Sequence, residues 1–357
     1  MRKSKIDAAT VLFPVAESGG LRAFAATDLD RPLRNAVRRL LTVGRKLRRS
    51  PLVFPLCHHD PAPDALKRNT QPPFEQAKTM IDAVYSLDVA AFPLPFDTVQ
   101  ISGADAADFL QRQLMNDVRQ LRQAGDSQWT GMLTAKGKLI HLFLLLRLDD
   151  QRFAAICPDQ DGAALISALQ RLLFRSKLQI QAMPEAQTWF QPVVASARSG
   201  MTLSWDGQRS LTWFEHAPDL TPPDAAARAA AEAAWQLADL EAGIVRLQDA
   251  NRDQFTPQML GLNRRHAFSL NKGCYPGQEI VSRTHFLGKA KRGLQLLAHT
   301  GEVQCGDAIL HQQREVGSVV SNSVNHQVLA VLPLEQPEPL SNPLAAFTYL
   351  SPTWSAG

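Results

Sequence analysis

The sequence predicts an α+β protein that ends in a small antiparallel β-barrel. Three observations carry this expectation. Between residues 98 and 173 the pattern runs strand, helix, strand, strand, helix, with hairpin turns, which favours mixed layers over a doubly wound parallel sheet. From Lys291 onward it changes to short strands separated by Gly/Asp turns. The 357 residues, 45% hydrophobic and 20% charged, suit two or three domains and a sizeable core, which excludes wholesale disorder and a fibrous architecture.

The N-terminal part stands apart by charge. Residues 1–79 carry 15 Lys/Arg against 7 Asp/Glu, and the remaining chain carries 23 against 27. The pI of 8.9 therefore belongs to this extension and does not mark the body as a nucleic-acid binder. Arg31–Arg49 holds eight basic residues and no acid, with Leu33, Val37, Leu40, Leu41 and Leu47 at approximately helical spacing. A basic amphipathic helix of this kind is open to membrane-surface binding, nucleic-acid binding or organelle targeting. The competing expectation is a disordered extension over 1–79, or a translation start at Met80. Six prolines between Pro51 and Pro73 make 51–79 a poor candidate for packed structure.

In the body, Thr98–Ser102 reads as a strand and Ala106–Leu114 as an amphipathic helix with Phe109, Leu110 and Leu114 inward. Met132–Thr134 and Leu139–Leu148 flank the turn Ala135–Lys138, Phe153–Cys157 is a further strand, and Gly162–Leu173 a helix. Val193–Glu215 is strand-rich, Asp224–Ala242 an alanine-rich helix, and 244–280 loop-rich. Strands at Gly293–Ala298, Ala308–Leu310, Gly317–Val320, Val328–Leu332 and Ala346–Tyr349 would build the barrel, placed over 288–357.

No apolar run approaches the ~20 residues of a membrane-spanning helix. Cys57, Cys157, Cys274 and Cys305 lie 100, 117 and 31 residues apart, so neither a disulfide framework nor a self-contained zinc or iron–sulfur site is expected. Free thiols without a secretion signal point to a cytoplasmic setting.

The string Asn271-Lys-Gly-Cys-Tyr-Pro-Gly-Gln-Glu279 is the one most suggestive of chemistry. Its glycines and proline demand a tight turn, and the following residues suit a short helix with Gln278 and Glu279 in its first turn. Cys274 beside Lys272, Arg283 and a helix N-terminus has a setting that favours a thiolate. The competing reading is an inert cysteine in a structural turn.

Lys272–Glu279 resembles the K-G-C-Y-x-G-Q-E signature of YgfZ-type folate-binding proteins, relatives of the glycine cleavage aminomethyltransferase. Ile101–Asp105, Phe109–Gln111, Asn116–Val118, Thr134–Lys138, Trp213–His216, Glu241–Gly243 and Gln254–Gln258 resemble family segments in the same order. The resemblance runs from about residue 94 to beyond 320 and leaves 1–79 without a counterpart. It implies an aminomethyltransferase-like folate-binding fold, with two intertwined subdomains over 80–287 closing on the barrel.

By the same resemblance, tetrahydrofolate or a derivative is the cofactor, with Trp235 and Phe96 against the pteridine. Phe96 stands where the family carries a tryptophan. Asp117 falls at the aminomethyltransferases' catalytic aspartate, although it equally suits a helix cap. The motif residues Lys272, Gly273, Tyr275, Gly277, Gln278, Glu279 and Arg283 would surround the functional thiol of Cys274. The implied role is support of iron–sulfur cluster assembly or maintenance in client enzymes, and through them tRNA methylthiolation. A folate-dependent aminomethyl or demethylating transferase is the alternative, and an RNA-binding module the third. Seven cations between Arg264 and Arg292 (Arg264, Arg265, Lys272, Arg283, Lys289, Lys291, Arg292) against Glu279 alone would suit a folate glutamate tail, an acidic client or RNA phosphates.

Overall fold

The structure, a computed structural model, describes residues 10–14, 21–25, 91–190, 200–219, 223–288, 290–352 and 354. The chain divides into two compact units, residues 1–66 and 67–357. In the first, β1 (Thr10–Pro14) and β2 (Leu21–Ala25) pair antiparallel, with Thr10 opposite Ala25. Val11-Leu12-Phe13 in β1 is an apolar, strand-forming run. The basic stretch Arg31–Arg49 and Cys57 lie outside the described residues.

The second unit begins with β3 (Phe92–Leu94), β4 (Asp97–Ser102), helix α1 (Ala106–Gln113), β5 (Ser127–Leu133), β6 (Leu139–Arg147), β7 (Arg152–Cys157) and α2 (Gly162–Gln170). There follow β8 (Gln179–Ala182), β9 (Gln187–Phe190), β10 (Met201–Ser204), β11 (Ser210–Phe214), α3 (Ala225–Glu241) and α4 (Gln278–Phe286). One sheet has the antiparallel order β5-β6-β7-β4-β8, and a second the order β10-β11-β9-β3.

Strand β6 explains how the layers stack. Its sequence, LIHLFLLLR, is apolar at nearly every position because both faces are covered. Leu142, Leu144 and Leu146 join a core with Trp129, Trp205 and Trp235. Phe143 and Leu145 alternate into a second core with Phe109 and Leu110 of α1 and Leu165 and Leu169 of α2. Helix α3 starts where the Asp224 side chain accepts from the Ala227 N–H at 2.8 Å, and it buries Trp235 and Leu237–Leu240 of its last turns.

Strands β12 (Arg292–His299), β13 (Ala308–His311), β14 (Arg314–Val319), β15 (Gln327–Pro333), β16 (Leu340–Ser341) and β17 (Ala346–Tyr349) close an antiparallel barrel. Leu297, Val328, Leu332 and Phe347 fill its interior, while Leu294, Leu296, Leu329 and Val331 pack into the main core. Two barrel strands therefore serve two cores, which fixes the barrel against the body.

Several expectations shift. The helix from Gly162 stops at Gln170 rather than Leu173, and β3, β8, β9 and β16 are strands the sequence pattern did not single out. These are two to four residues long, and β8 is QIQA, too short and polar to carry a period-two signal.

Two-sided burial of β6 has a direct test in paired substitutions. Leu144 is 1% and Leu145 0% exposed. Leu144→Ala and Leu145→Ala are each expected to destabilise by about 2–5 kcal/mol in urea unfolding. A near-neutral result at either position would mean that one face of β6 is not packed as described.

Candidate functional site

The glycine-rich motif folds as a clasp. Gly277 precedes α4 with φ 79°, and a Cβ there would lie 2.6 Å from the Thr134 carbonyl and 2.8 Å from the Gly137 Cα. Gly137, with φ 69°, would in turn press a Cβ to 2.7 Å from that of Ile280. Two turns distant in sequence thus meet backbone to backbone, which only glycine permits. Lys272 is 7% exposed, and its ammonium donates to the carbonyls of Leu114 and Asn116, each at 2.7 Å. Burial pulls its pKa down to about 8 against the opposing pull of Asp117. Gln278 Nε2 donates to the Lys272 carbonyl at 3.3 Å, and the Tyr275 hydroxyl to the Ser269 carbonyl at 3.2 Å.

Cys274 is exposed at the tip of this clasp, with Gly273, Pro276 and Glu279. The Lys272 ammonium is engaged by those two carbonyls. The helix N-terminus is engaged too, since the Gln278 N–H bonds to the Tyr275 carbonyl and those of Ile280 and Val281 to Gly277. Cys157 is buried, with its thiol pushed well above the usual range, and burial raises that of half-buried Cys305 to about 11. Among the described cysteines, Cys274 is the exposed one.

A second centre lies apart from the thiol. A cleft of about 660 Å³ is lined by Phe96, Asp159, Asp161, Arg246, Arg252 and Ser321, among others, and neither Cys274 nor Trp235 is in its lining. Arg246 organises it. Its guanidinium lies 5.0 Å from the Phe96 ring centre and 5.4 Å from that of Trp205. It also donates to the Pro158 carbonyl at 2.8 Å and to Asp239 Oδ2 at 3.3 Å.

The Asp159 side chain is only 5% exposed. Its Oδ2 accepts from the Leu247 N–H at 2.8 Å, and its Oδ1 is buried without a hydrogen-bond partner, 3.8 Å from Arg246. Burial outweighs that arginine and raises the carboxyl to about 7. Asp161 is held below the usual carboxylate range by its 2.7 Å contact with His141 and by Arg252, although burial opposes both. Two aspartates in one wall thus have opposite protonation preferences.

The predicted aromatic pair does not frame an open slot. Phe96 is 8% and Trp235 2% exposed, and both pack on Trp205. Trp205 lies 5.5 Å from Phe96 at an interplanar angle of 27°, and 5.7 Å from Trp235 at 42°. Asp117 is seen as a cap: its Oδ1 accepts from the Arg119 N–H at 3.2 Å and from Gln111 Nε2 at 3.0 Å.

The basic cluster also divides. Lys272 is buried, Arg265 donates to the Ala242 carbonyl, and Arg264 lies over Trp354 at 4.1 Å. Arg283, Lys291 and Arg292 are exposed, and Lys289 lies outside the described residues. It is therefore not one continuous cationic face, because part of the charge is used internally.

Asp159, Arg246, Asp239 and Trp205 escaped the sequence reading. Pro158-Asp-Gln-Asp161 carries no recognisable motif, and nothing local in sequence connects it to an arginine 87 positions on. No group of three or more metal-binding side chains occurs among the described residues, and no helix among them is long and apolar enough to cross a membrane.

No family model matches the chain. An uncharacterized protein of Haemophilus influenzae is 28% identical over 232 residues, spanning 63% of this chain and 75% of that protein. Among solved structures, the glycine cleavage system aminomethyltransferase T of Bartonella henselae matches with a TM-score of 0.56 at 15% identity, over 78% of this chain and 88% of that one. The likeness is one of fold: a mixed helix and sheet body with a closed antiparallel barrel in the C-terminal region.

The raised Asp159 carboxyl sets a pH dependence. Its folded value of about 7 exceeds the ordinary 3.8, so the folded protein holds a proton that the unfolded chain releases. The stability this proton supplies is complete below the ordinary value and is lost as pH rises through the folded one. Wild type should therefore lose melting temperature relative to Asp159→Asn between roughly pH 5 and 8. Parallel melting curves for the two proteins across that range would refute the burial described.

Proposed function

We propose that this protein binds tetrahydrofolate or a derivative at the cleft beside Phe96 and acts as an accessory factor for iron–sulfur enzymes. The observation that carries the folate reading is the buried, unpartnered Oδ1 of Asp159 next to the Phe96–Arg246 stack. A pteridine offers amino and ring N–H donors along one edge, the complement of a carboxyl oxygen, and a flat face for an aromatic or guanidinium plane. Arg246 and Arg252, both in the cleft lining, suit the carboxylates of a glutamate tail. The fold shared with an aminomethyltransferase supports the same ligand class, as does the resemblance of Lys272–Glu279 to the folate-binding signature.

The accessory role rests on Cys274. Its thiol is exposed on a rigid clasp away from the cleft lining, which suits contact with another protein more than chemistry on a ligand buried in the cleft. The partners in this reading are iron–sulfur client enzymes in the cytoplasm, with tRNA methylthiolation as a downstream effect. Direct tRNA binding is the weakest reading, given the division of the basic cluster.

One observation favours an enzyme instead. Asp159, with a carboxyl near 7, is poised for proton transfer at the cleft wall. In that reading the protein is a folate-dependent transferase, and clear multiple turnover of an aminomethylated lipoyl carrier with tetrahydrofolate would establish it.

Titration calorimetry with tetrahydrofolate tests the ligand. Wild type should bind, and Asp159→Ala should bind about tenfold or more weakly, equivalent to ~1.4 kcal/mol. Absence of binding to wild type removes the folate reading.

The thiol is tested separately in a deletion strain. Cys274→Ser should fold and bind tetrahydrofolate as wild type does, yet leave iron–sulfur enzyme activity and methylthiolated tRNA unrestored. Cys57→Ser, Cys157→Ser and Cys305→Ser should each complement. Full complementation by Cys274→Ser at native expression would show the thiol to be dispensable.

A further inference from the structure

The loop between α2 and β8, Arg171-Leu-Leu-Phe-Arg-Ser-Lys177, holds a large aromatic that the fold leaves in water. Phe174 is 91% and Leu172 41% exposed. The backbone around them is nonetheless fixed. The Leu172 N–H bonds to the Leu169 carbonyl at 3.0 Å, the Ser176 N–H to the Leu173 carbonyl at 2.8 Å, and the Lys177 N–H to Asp105 Oδ2 at 2.7 Å. Leu173 and Leu178 pack against the core that α2 shares with β6. A Cβ on Gly103 would lie 2.3 Å from the Lys177 carbonyl oxygen, so the loop also sits tightly on the turn before α1.

Phe174 itself has φ 40°, in the left-handed region, where a bulky side chain is strained. Such strain persists where the surrounding structure imposes it, and it gathers at contact sites. A glycine would avoid both the strain and the exposed ring, so the phenylalanine fits a contact outside the chain. Its setting is cationic. Arg171, Arg175 and Lys177 are exposed on the same short loop, and the Arg175 guanidinium lies 5.2 Å from the Phe174 ring centre. Among the described residues none of the three is ion-paired, and the acids of the adjoining turns are engaged elsewhere. Asp108, Asp149 and Asp150 pair with Arg119, Arg152 and Arg147, and Asp105 accepts from the Lys177 backbone.

We propose that this loop is a contact for an anionic lipid surface. Phe174, with Leu172, enters at the level of the headgroups, and Arg171, Arg175 and Lys177 lie against the lipid phosphates. Two apolar side chains among three cations are far less than the roughly 800 Å² that each partner of a standard protein complex covers. A peripheral lipid contact asks only for an interfacial aromatic and a few basic residues, and a diffuse plane of negative charge needs no matching shape. The contact is independent of the cleft and of Cys274.

Cosedimentation of the full chain with vesicles tests it, using phosphatidylcholine alone and phosphatidylcholine with phosphatidylglycerol in equal parts. Wild type should sediment with the mixed vesicles, less so as salt is raised, and not with phosphatidylcholine alone. Phe174→Gly should be at least as stable as wild type in urea and bind the mixed vesicles at least about fivefold more weakly. Phe174→Trp should retain wild-type binding, and the triple variant Arg171→Ser, Arg175→Ser, Lys177→Ser should lose it. Absence of wild-type binding would overturn the proposal. Equal binding by wild type and Phe174→Gly would do so too, assigning the affinity to the basic stretch Arg31–Arg49. A marked loss of stability in Phe174→Gly would show that the ring serves the fold. Failure of Phe174→Gly to complement the deletion strain, with no vesicle binding by wild type, would make the loop a protein contact instead.

Discussion

The carboxylate of Asp239 is the constraint from which the middle of this molecule is organised. It is 5% exposed and receives Trp205 Nε1 and Arg209 Nη2 on one oxygen and Arg246 Nε on the other. Arg209, 2% exposed, is further bonded to Asp206 and lies 4.2 Å from the Trp235 ring centre. One buried anion thus ties α3 to the β10–β11 turn and to the loop carrying Arg246. A network of this kind is worth keeping only when its members are satisfied, because an unpaired buried charge is costly. Arg246 extends it to the cleft, where it stacks on Phe96 and approaches Asp159. The placement of Arg246 at the cleft and the seating of Trp205 both involve this one residue.

The cleft and the thiol are built by different means. Around the cleft, charged groups are removed from water and balanced against each other, so protonation states are unusual. Around Cys274 the same chain uses backbone contact: Gly277 against Thr134 and Gly137, and an ammonium bridging two carbonyls 156 and 158 residues away in sequence. That second construction makes a rigid platform and leaves its tip in solvent. Gly277 and Lys272 of the motif are explained by the clasp, and Cys274 is among the residues of the string that the clasp leaves exposed.

Much of the fold was legible because its signals are local. β6 declares its two-sided burial by an apolar run, α3 its start by Asp224 and its buried end by Trp235 and Leu240, and the barrel its strands by Gly/Asp turns. The site was legible only where a motif is contiguous. Asp159 sits in a four-residue turn, and its importance arises from Leu247 and Arg246, 88 and 87 positions on. Trp205 looks like an ordinary strand-end aromatic, since its partner Asp239 is 34 residues away. Lys272 was legible as important and illegible in role, because charge proximity in sequence does not say where four methylenes will carry an ammonium.

Trp235 and Phe96 show the same limit from the other side. Identity of residue type led to an expectation of two aromatic faces open to a ring, and both aromatics are present and close together. What decides their state is a third aromatic, brought in from beyond edge strand β10 and bonded to a carboxylate on the helix that carries Trp235. Aromatic packing is satisfied by any flat partner, whether a ligand or the protein's own indole. The polar groups are more discriminating: Trp205 Nε1 meets Asp239, while the N–H of neighbouring Trp235 is buried without a partner. Hydrogen-bond satisfaction, rather than shape, therefore marks where this aromatic core is incompletely paired.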